Sequence, residues 1–139
     1  MVGDGELRDQ VEEMIHKFDL GSSFLITGWV DNPTAYMKIM DVGMLLSRWE
    51  GFGLVLPEYM ACGVPIVATN VDAIPNIVKN GKNGILVEED NIKEIVKATE
   101  KLVSNKLKQS IVNNEIIVTQ TSYDAKRVIQ ETISLYRML

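Results

Sequence analysis

Cysteine is almost missing from this sequence. Cys62 stands alone among 139 residues, so no internal disulfide can form, and a reducing compartment suits the chain. Within its apolar run Cys62 reads as a small packed side chain rather than a nucleophile. Histidine is equally scarce: His16 is the one example, on an amphipathic stretch, at the surface or half-buried. No apolar run approaches the ~18 residues that cross a bilayer. The opening MVGDGELRD turns polar too early for a secretory signal. An excess of positive charge is lacking too. The net charge is −5, with Lys and Arg scattered among acids, which argues against nucleic acid as a partner, because phosphate backbones demand a basic stripe. Repeats and low-complexity linkers are absent. A cytoplasmic location is expected, with any membrane face reached through a further domain.

What remains is ordinary for a globular protein, with 46% hydrophobic and 24% charged residues. The length is enough for one domain with a core and too little for two. Short apolar runs alternate with helical patterns. Leu7, Val11, Met14, Ile15 and Phe18 recur at helical spacing, so a helix is predicted from Glu6 to Phe18, stopped by Gly21. SFLIT, from Ser23 to Thr27, reads as a strand. Pro33 suits a first helical turn, with the helix reaching Met40. Val42–Leu46 and Val64–Ala68 are apolar throughout, as in parallel strands covered on both faces. Helices are predicted over Leu54–Cys62, ended by Gly63, and over Val71–Lys79. A turn at Asn80–Gly84 leads to a strand at Ile85–Val87. Three helices follow: Asn91–Val103, Lys106–Val118, and Ser122–Leu139. Ser122 caps the last, and Val128, Ile129, Ile133, Leu135 and Tyr136 form its apolar side. Met37, Met40, Met44 and Met60 read as core packing.

Alternating strands and helices imply right-handed crossovers, and so a Rossmann-like α/β domain: a parallel sheet with helices on both faces. Met1–Val2 before Gly3-Asp4-Gly5 is too short for a normal strand. The first strand-helix unit of the fold is therefore expected to be missing.

Ligands of such sheets bind beyond the carboxyl ends of the strands. The loop there with most chemistry is Ser47-Arg48-Trp49-Glu50-Gly51-Phe52-Gly53, followed by Leu54-Val55-Leu56-Pro57-Glu58. Two glycines let backbone N–H groups approach a ligand. A helix N-terminus behind them adds partial positive charge, which suits phosphate or sugar oxygens. Two carboxylates frame the turn. Glu50 precedes the glycines, and Glu58 shares a helix face with Leu54. A carboxylate accepts two hydroxyls at once, as a ribose or a sugar diol offers them. The same acids could simply cap the helix. Trp49 suits a sugar pocket and, equally, packing in the core or at its rim.

Glu50 and Glu58, spaced around Gly-Phe-Gly-Leu, resemble the Glu-x7-Glu motif of the large retaining glycosyltransferase family with the GT-B fold, which includes sucrose synthases and mannosyltransferases. Further segments match in order: Val2-Gly3-Asp4-Gly5, Gly28-Trp29-Val30, Asp41-Val42, Ser47, Gly63-Val64-Pro65-Ile66-Val67-Ala68-Thr69, Ile74-Pro75, Gly81 and Asn83-Gly84-Ile85-Leu86-Val87. The resemblance covers nearly the whole chain. It implies that residues 1–139 are a partial, C-terminal, donor-binding domain, the second half of a GT-B protein. Glu50 would be catalytic, holding sugar hydroxyls near the anomeric carbon. Gly51, Phe52, Gly53 and Leu54 would bind sugar and diphosphate oxygens, and Glu58 the ribose. Gly28, Trp29 and Val30 would lie near the base. The reaction implied is hexosyl transfer with retained configuration from a nucleotide-diphosphate sugar to an acceptor sugar, lipid or glycan. No cofactor and no metal are implied, since basic side chains and a helix dipole can carry the leaving-group charge.

Two departures stand out. The family usually has a glycine pair before its Ile-Pro, where this chain has Asp72-Ala73. The family's Arg and Lys that clamp the diphosphate belong to the unit expected to be missing, and the acceptor domain, which in the family usually carries a catalytic-site histidine, is expected to be missing too. Arg48 and Lys82 could stand in for the clamp, though each reads better as solvated. The isolated chain is therefore expected to be inactive. The competing reading is a non-catalytic nucleotide-sugar binding module, or one subunit of a split transferase. A glycosidase carboxylate pair fits less well, having no need of a glycine-bracketed helix N-terminus, and nucleotide-sugar epimerases lack this spacing.

Overall fold

A computed structural model describes residues 1–104, 110–114, 118 and 122–136. They form two compact units, Met1–Tyr36 and Met37–Leu139.

In the first unit, α1 (Arg8–Lys17) is anchored by its own charges. Arg8 reaches Asp4 at 2.8 Å and Glu12 at 2.7 Å, one turn to either side. The Gly5 N–H and the Arg8 guanidinium hold the Asp4 carboxyl below its usual range. The helix stops earlier than Gly21. Asp19 takes a left-handed φ of 54° and its N–H bonds the His16 carbonyl. The apolar stripe covers little: no residue of α1 is fully buried, and Leu7, Met14 and Phe18 are exposed.

Ser23–Thr27 is not a strand of the parallel sheet. It lies beside Met1–Gly3: Met1 donates to the Leu25 carbonyl and accepts from the Thr27 N–H at 3.1 Å, and the Gly3 N–H bonds Gly28 at 3.1 Å in an isolated antiparallel bridge. The reason is conformational. Gly3 and Gly28 have φ of 118° and 68°, outside the extended region, so the pairing cannot propagate past them.

The second unit holds a three-stranded parallel sheet in the order β1 (Gly43–Leu45), β2 (Ile66–Thr69), β3 (Ile85–Val87). Gly43 pairs with Ile66, Leu45 with Ala68, Val67 with Ile85 and Thr69 with Val87. All of β2 is buried, and its side chains alternate between faces. Ile66 and Ala68 pack with Leu56, Tyr59 and Met60 of α3 (Val55–Cys62) and with Ile74 and Ile77 of the short helix Ile74–Ile77. Val67 packs on the other side with Val87, with Ile111, and with Ala98 and Leu102 of the helix Ile92–Val103. Helices thus cover both faces. Each fully buried Leu, Ile or Met here contributes about 1.5–3 kcal/mol through burial.

Turn chemistry follows the sequence at several points. Gly63 ends α3 with a left-handed φ of 67°. Asn91 caps its helix by accepting from the Glu94 N–H. The buried Asn83 closes the Asn80–Gly84 turn, accepting from the Lys79 N–H at 2.6 Å and donating to the Ile77 carbonyl.

Elsewhere the elements are shorter or differently placed. The helix from Pro33, α2 (Pro33–Met37), ends short of Met40, and that expected over Val71–Lys79 spans only Ile74–Ile77. Asp72, at a φ of 44°, and Pro75 suit a start after Val71. Of the predicted Lys106–Val118 helix, residues 110–114 and 118 are helical, and the rest lies outside the described residues. The last helix is Ala125–Tyr136. Asp124, not Ser122, caps it by accepting from the Arg127 N–H at 2.9 Å. Val128, Ile129 and Ile133 on that helix are exposed rather than buried. Met44 is also exposed, because it stands on an edge strand, while Met37 and Met60 are in the core.

Candidate functional site

The loop from β1 to α3 is built as a hydrogen-bonded turn. Ser47 is held from the side: the buried Thr69 hydroxyl, at the end of β2, donates to its carbonyl at 2.6 Å. The half-buried Glu50 carboxylate folds back on its own loop. One oxygen accepts from the Gly53 N–H at 3.1 Å, the other from the Ser47 hydroxyl at 3.3 Å. The carboxylate thus sits beside the glycines, bonded to Gly53, the residue before the N-cap Leu54.

The two glycines do different work. Gly53 has a φ of 77°, and a methyl group there would lie 3.1 Å from Leu56 and 3.2 Å from Leu45. A side chain is excluded by conformation and by space. At Gly51 the surroundings are open, with no atom within 4 Å of where a methyl group would sit. Room for a ligand lies beside that backbone. The N–H groups of Gly51, Phe52 and Leu54 donate to no acceptor among the described residues. Leu54, the N-cap of α3, supplies no side-chain cap. Unsatisfied donors at a helix N-terminus attract anions.

Glu58 lies exposed in the first turn of α3, and its carboxylate has no hydrogen bond or ion pair among the described residues. Its charge is felt by the neighbouring Tyr59. Burial pushes that phenol up from its ordinary value, and Glu58 adds to the rise. Trp49 is 81% exposed, so core packing is not its role. Phe52 and Leu54 are exposed beside it in sequence. Gly28, Trp29 and Val30 belong to the Met1–Tyr36 unit. There Gly28 is buried at its left-handed turn and Trp29 is 85% exposed.

Arg48 is engaged elsewhere, 3.1 Å from Asp90 and 3.6 Å from Glu89 in the loop after β3. Lys82 is exposed on the Asn80–Gly84 turn. His16 is exposed on α1, and Cys62 is half-buried against the core. Among the described residues, no three His, Cys, Asp or Glu side chains gather to hold a metal, and no helix is long and apolar enough to cross a membrane.

One contributor was hidden in the sequence. Asp72, a departure from a glycine pair, accepts the Glu50 backbone N–H at 2.9 Å from the loop after β2. It does so at a φ of 44°. That conformation costs an L-residue about 1–2 kcal/mol, and Asp and Asn visit it most readily among non-glycine residues. The signal was an acid where a turn needs a positive φ, but its partner lies 22 residues away.

Residues 1–117 match the family described as glycosyl transferases group 1. The chain is 28% identical over 141 residues to an uncharacterized glycosyltransferase of Methanocaldococcus jannaschii, covering 99% of this chain and 36% of that protein. It is 38% identical over 88 residues to N-acetyl-alpha-D-glucosaminyl L-malate synthase of Bacillus anthracis, covering 63% of this chain and 23% of that one. The chain therefore spans well under half the length of these relatives. In structure it is similar to Anabaena HepE, solved in complex with UDP-glucose. The TM-score is 0.91 at 23% identity, over 99% of this chain and 40% of that one. This likeness places the α/β fold, with its parallel sheet, among GT-B structures.

Proposed function

Because the chain belongs to the glycosyl transferases group 1 family, we propose that it is the donor-binding part of a retaining hexosyltransferase that takes its sugar from a nucleoside diphosphate. The observation that carries this reading is the β1–α3 turn: the N–H groups of Gly51, Phe52 and Leu54, without protein acceptors among the described residues, face a helix N-terminus with open space at Gly51. Such donors suit the oxygens of a diphosphate, whose charge grows as the nucleotide leaves. No metal is required in this scheme. The UDP-glucose held by Anabaena HepE makes a uridine nucleotide the natural first probe.

In this reading Glu50 is the catalytic carboxylate, held at the sugar hydroxyls. Glu58, with no described partner, takes the ribose diol. Gly53 gives the turn its shape. The bond from the anomeric carbon to the diphosphate oxygen breaks, an acceptor hydroxyl oxygen bonds to that carbon on the same face of the sugar, and the nucleoside diphosphate leaves with the hydroxyl proton. The acceptor is held by a further domain. Holding two reactants together is worth roughly 7–11 kcal/mol of barrier, so the 139 residues alone bind but do not transfer. The whole protein acts in the cytoplasm and reaches a membrane, if at all, through that domain.

Thermal melting with UDP, UDP-glucose and other nucleotide sugars tests the reading. A ligand at a hundredfold excess over Kd stabilises by about 2.7 kcal/mol, a rise in Tm of roughly 10 °C for a chain of this size. No shift with any nucleoside diphosphate or nucleotide sugar would overturn it. Binding without transfer by the complete protein would favour a non-catalytic module.

A further inference from the structure

The loops after β1 and β2 are joined by two side-chain bonds. Thr69 fixes the start of the β1–α3 loop through the Ser47 carbonyl. Three residues further along each loop, Asp72 fixes its middle through the Glu50 N–H. Asp72 does this from a left-handed backbone, a conformation in which side chains are rare. Among the described residues its carboxylate takes one N–H, that of Glu50, which lies outside the Gly51, Phe52 and Leu54 set. The Glu50 side chain then closes the turn onto Gly53 and Ser47.

We propose that Asp72 is a positioning residue for the donor site: by holding the Glu50 N–H it sets the turn whose free N–H groups meet the diphosphate. This rests on the donor-site reading above. Asp72 acts through Glu50 and touches no donor group itself. The alternative, that Asp72 merely tolerates a tight turn, makes opposite predictions. Glycine at this position would relieve the backbone and free the Glu50 N–H. Asparagine would keep both the left-handed tolerance and an acceptor oxygen.

The test uses the chain with Asp72→Gly and Asp72→Asn. Amide hydrogen exchange at Glu50 is followed by NMR without ligand, and UDP-glucose binding by calorimetry. In Asp72→Gly the Glu50 amide exchanges at least tenfold faster and Kd for UDP-glucose rises roughly tenfold, the loss of one charge-assisted hydrogen bond. Asp72→Asn restores protection and stays within about threefold of the parent in Kd. An unchanged Glu50 amide in Asp72→Gly, or a Kd equal to the parent's, overturns the inference. Should the parent chain itself bind no nucleoside diphosphate or nucleotide sugar, the donor reading falls, and this inference with it. That result is distinct from a parent that binds and an Asp72→Gly variant that matches it.

Discussion

Gly43→Ala tests how closely α3 rests on β1. A methyl group at Gly43 would stand 2.8 Å from two ring carbons of Tyr59 and 2.9 Å from a third, so it would press on the ring itself. Carbon atoms in contact sit about 3.5–4.0 Å apart, so the ring must retreat by roughly 0.7–1 Å. Tyr59 lies in the core with Leu56 and Met60, both fully buried, and cannot swing away alone. The φ of Gly43 is not positive, so the strain is steric rather than conformational. Overpacking of this kind costs about 1–3 kcal/mol. Replacing glycine in a strand regains about 0.5–1 kcal/mol, leaving a net loss of roughly 0–2.5 kcal/mol, centred on about 1.2 kcal/mol. Urea denaturation reads this as a lower midpoint at unchanged slope. UDP-glucose binding should weaken as well, because displacing α3 moves the Leu54 end of the turn. Adding Tyr59→Leu to Gly43→Ala should recover part of the loss, a coupling of about 0.5–3 kcal/mol. A Gly43→Ala chain as stable as the parent would refute the packing argument.

Three further outcomes are expected. Glu58→Gln should weaken UDP binding, measured by calorimetry, while leaving inorganic phosphate binding nearly unchanged; equal loss for both contradicts the ribose role. In the complete protein, Glu50→Ala should lower kcat more than Glu58→Ala, which should mainly raise KM, because contacts made equally in ground and transition states leave kcat alone; steady-state kinetics decide. The Tyr59 phenol is raised in the folded state, so folding favours its neutral form. The stability it lends is whole below the ordinary value of 10.0 and is lost as pH climbs through the higher folded value. Melting temperature should therefore fall more steeply above pH ~10 in the parent than in Tyr59→Phe.

The central sheet was legible because its strands are short apolar runs with no competing pattern. Ile85–Val87 has the limits its sequence suggests, the Val42 run loses one residue at each end, and the Val64 run starts at Ile66 and extends to Thr69. SFLIT has the same composition and a different fate, since composition does not report the positive φ of Gly3 and Gly28 that ends its pairing. Helix ends behaved similarly. Gly63 announces a left-handed stop, whereas Asp19, which ends α1, looks like any surface acid. Within the site, the glycines and the two glutamates could be picked out as one local pattern. Asp72 and Thr69 could not be tied to them, because hydrogen bonds between loops follow from strand register, which a single sequence does not display.

That register has a further consequence. Paired residues of β1 and β2, such as Leu45 and Ala68, meet by backbone hydrogen bonding. Beyond the strand ends the meeting continues through side chains, Thr69 to Ser47 and Asp72 to Glu50, each across 22 residues. The two loops are thus matched in length, step for step. Surface loops ordinarily accept insertions and deletions at little cost. Here one extra residue between Ser47 and Glu50, or between Thr69 and Asp72, would put one partner of a bond out of step with the other. An insertion in either interval is therefore expected to break a bond between the loops, and a graft of either loop onto another scaffold has to carry its counterpart along.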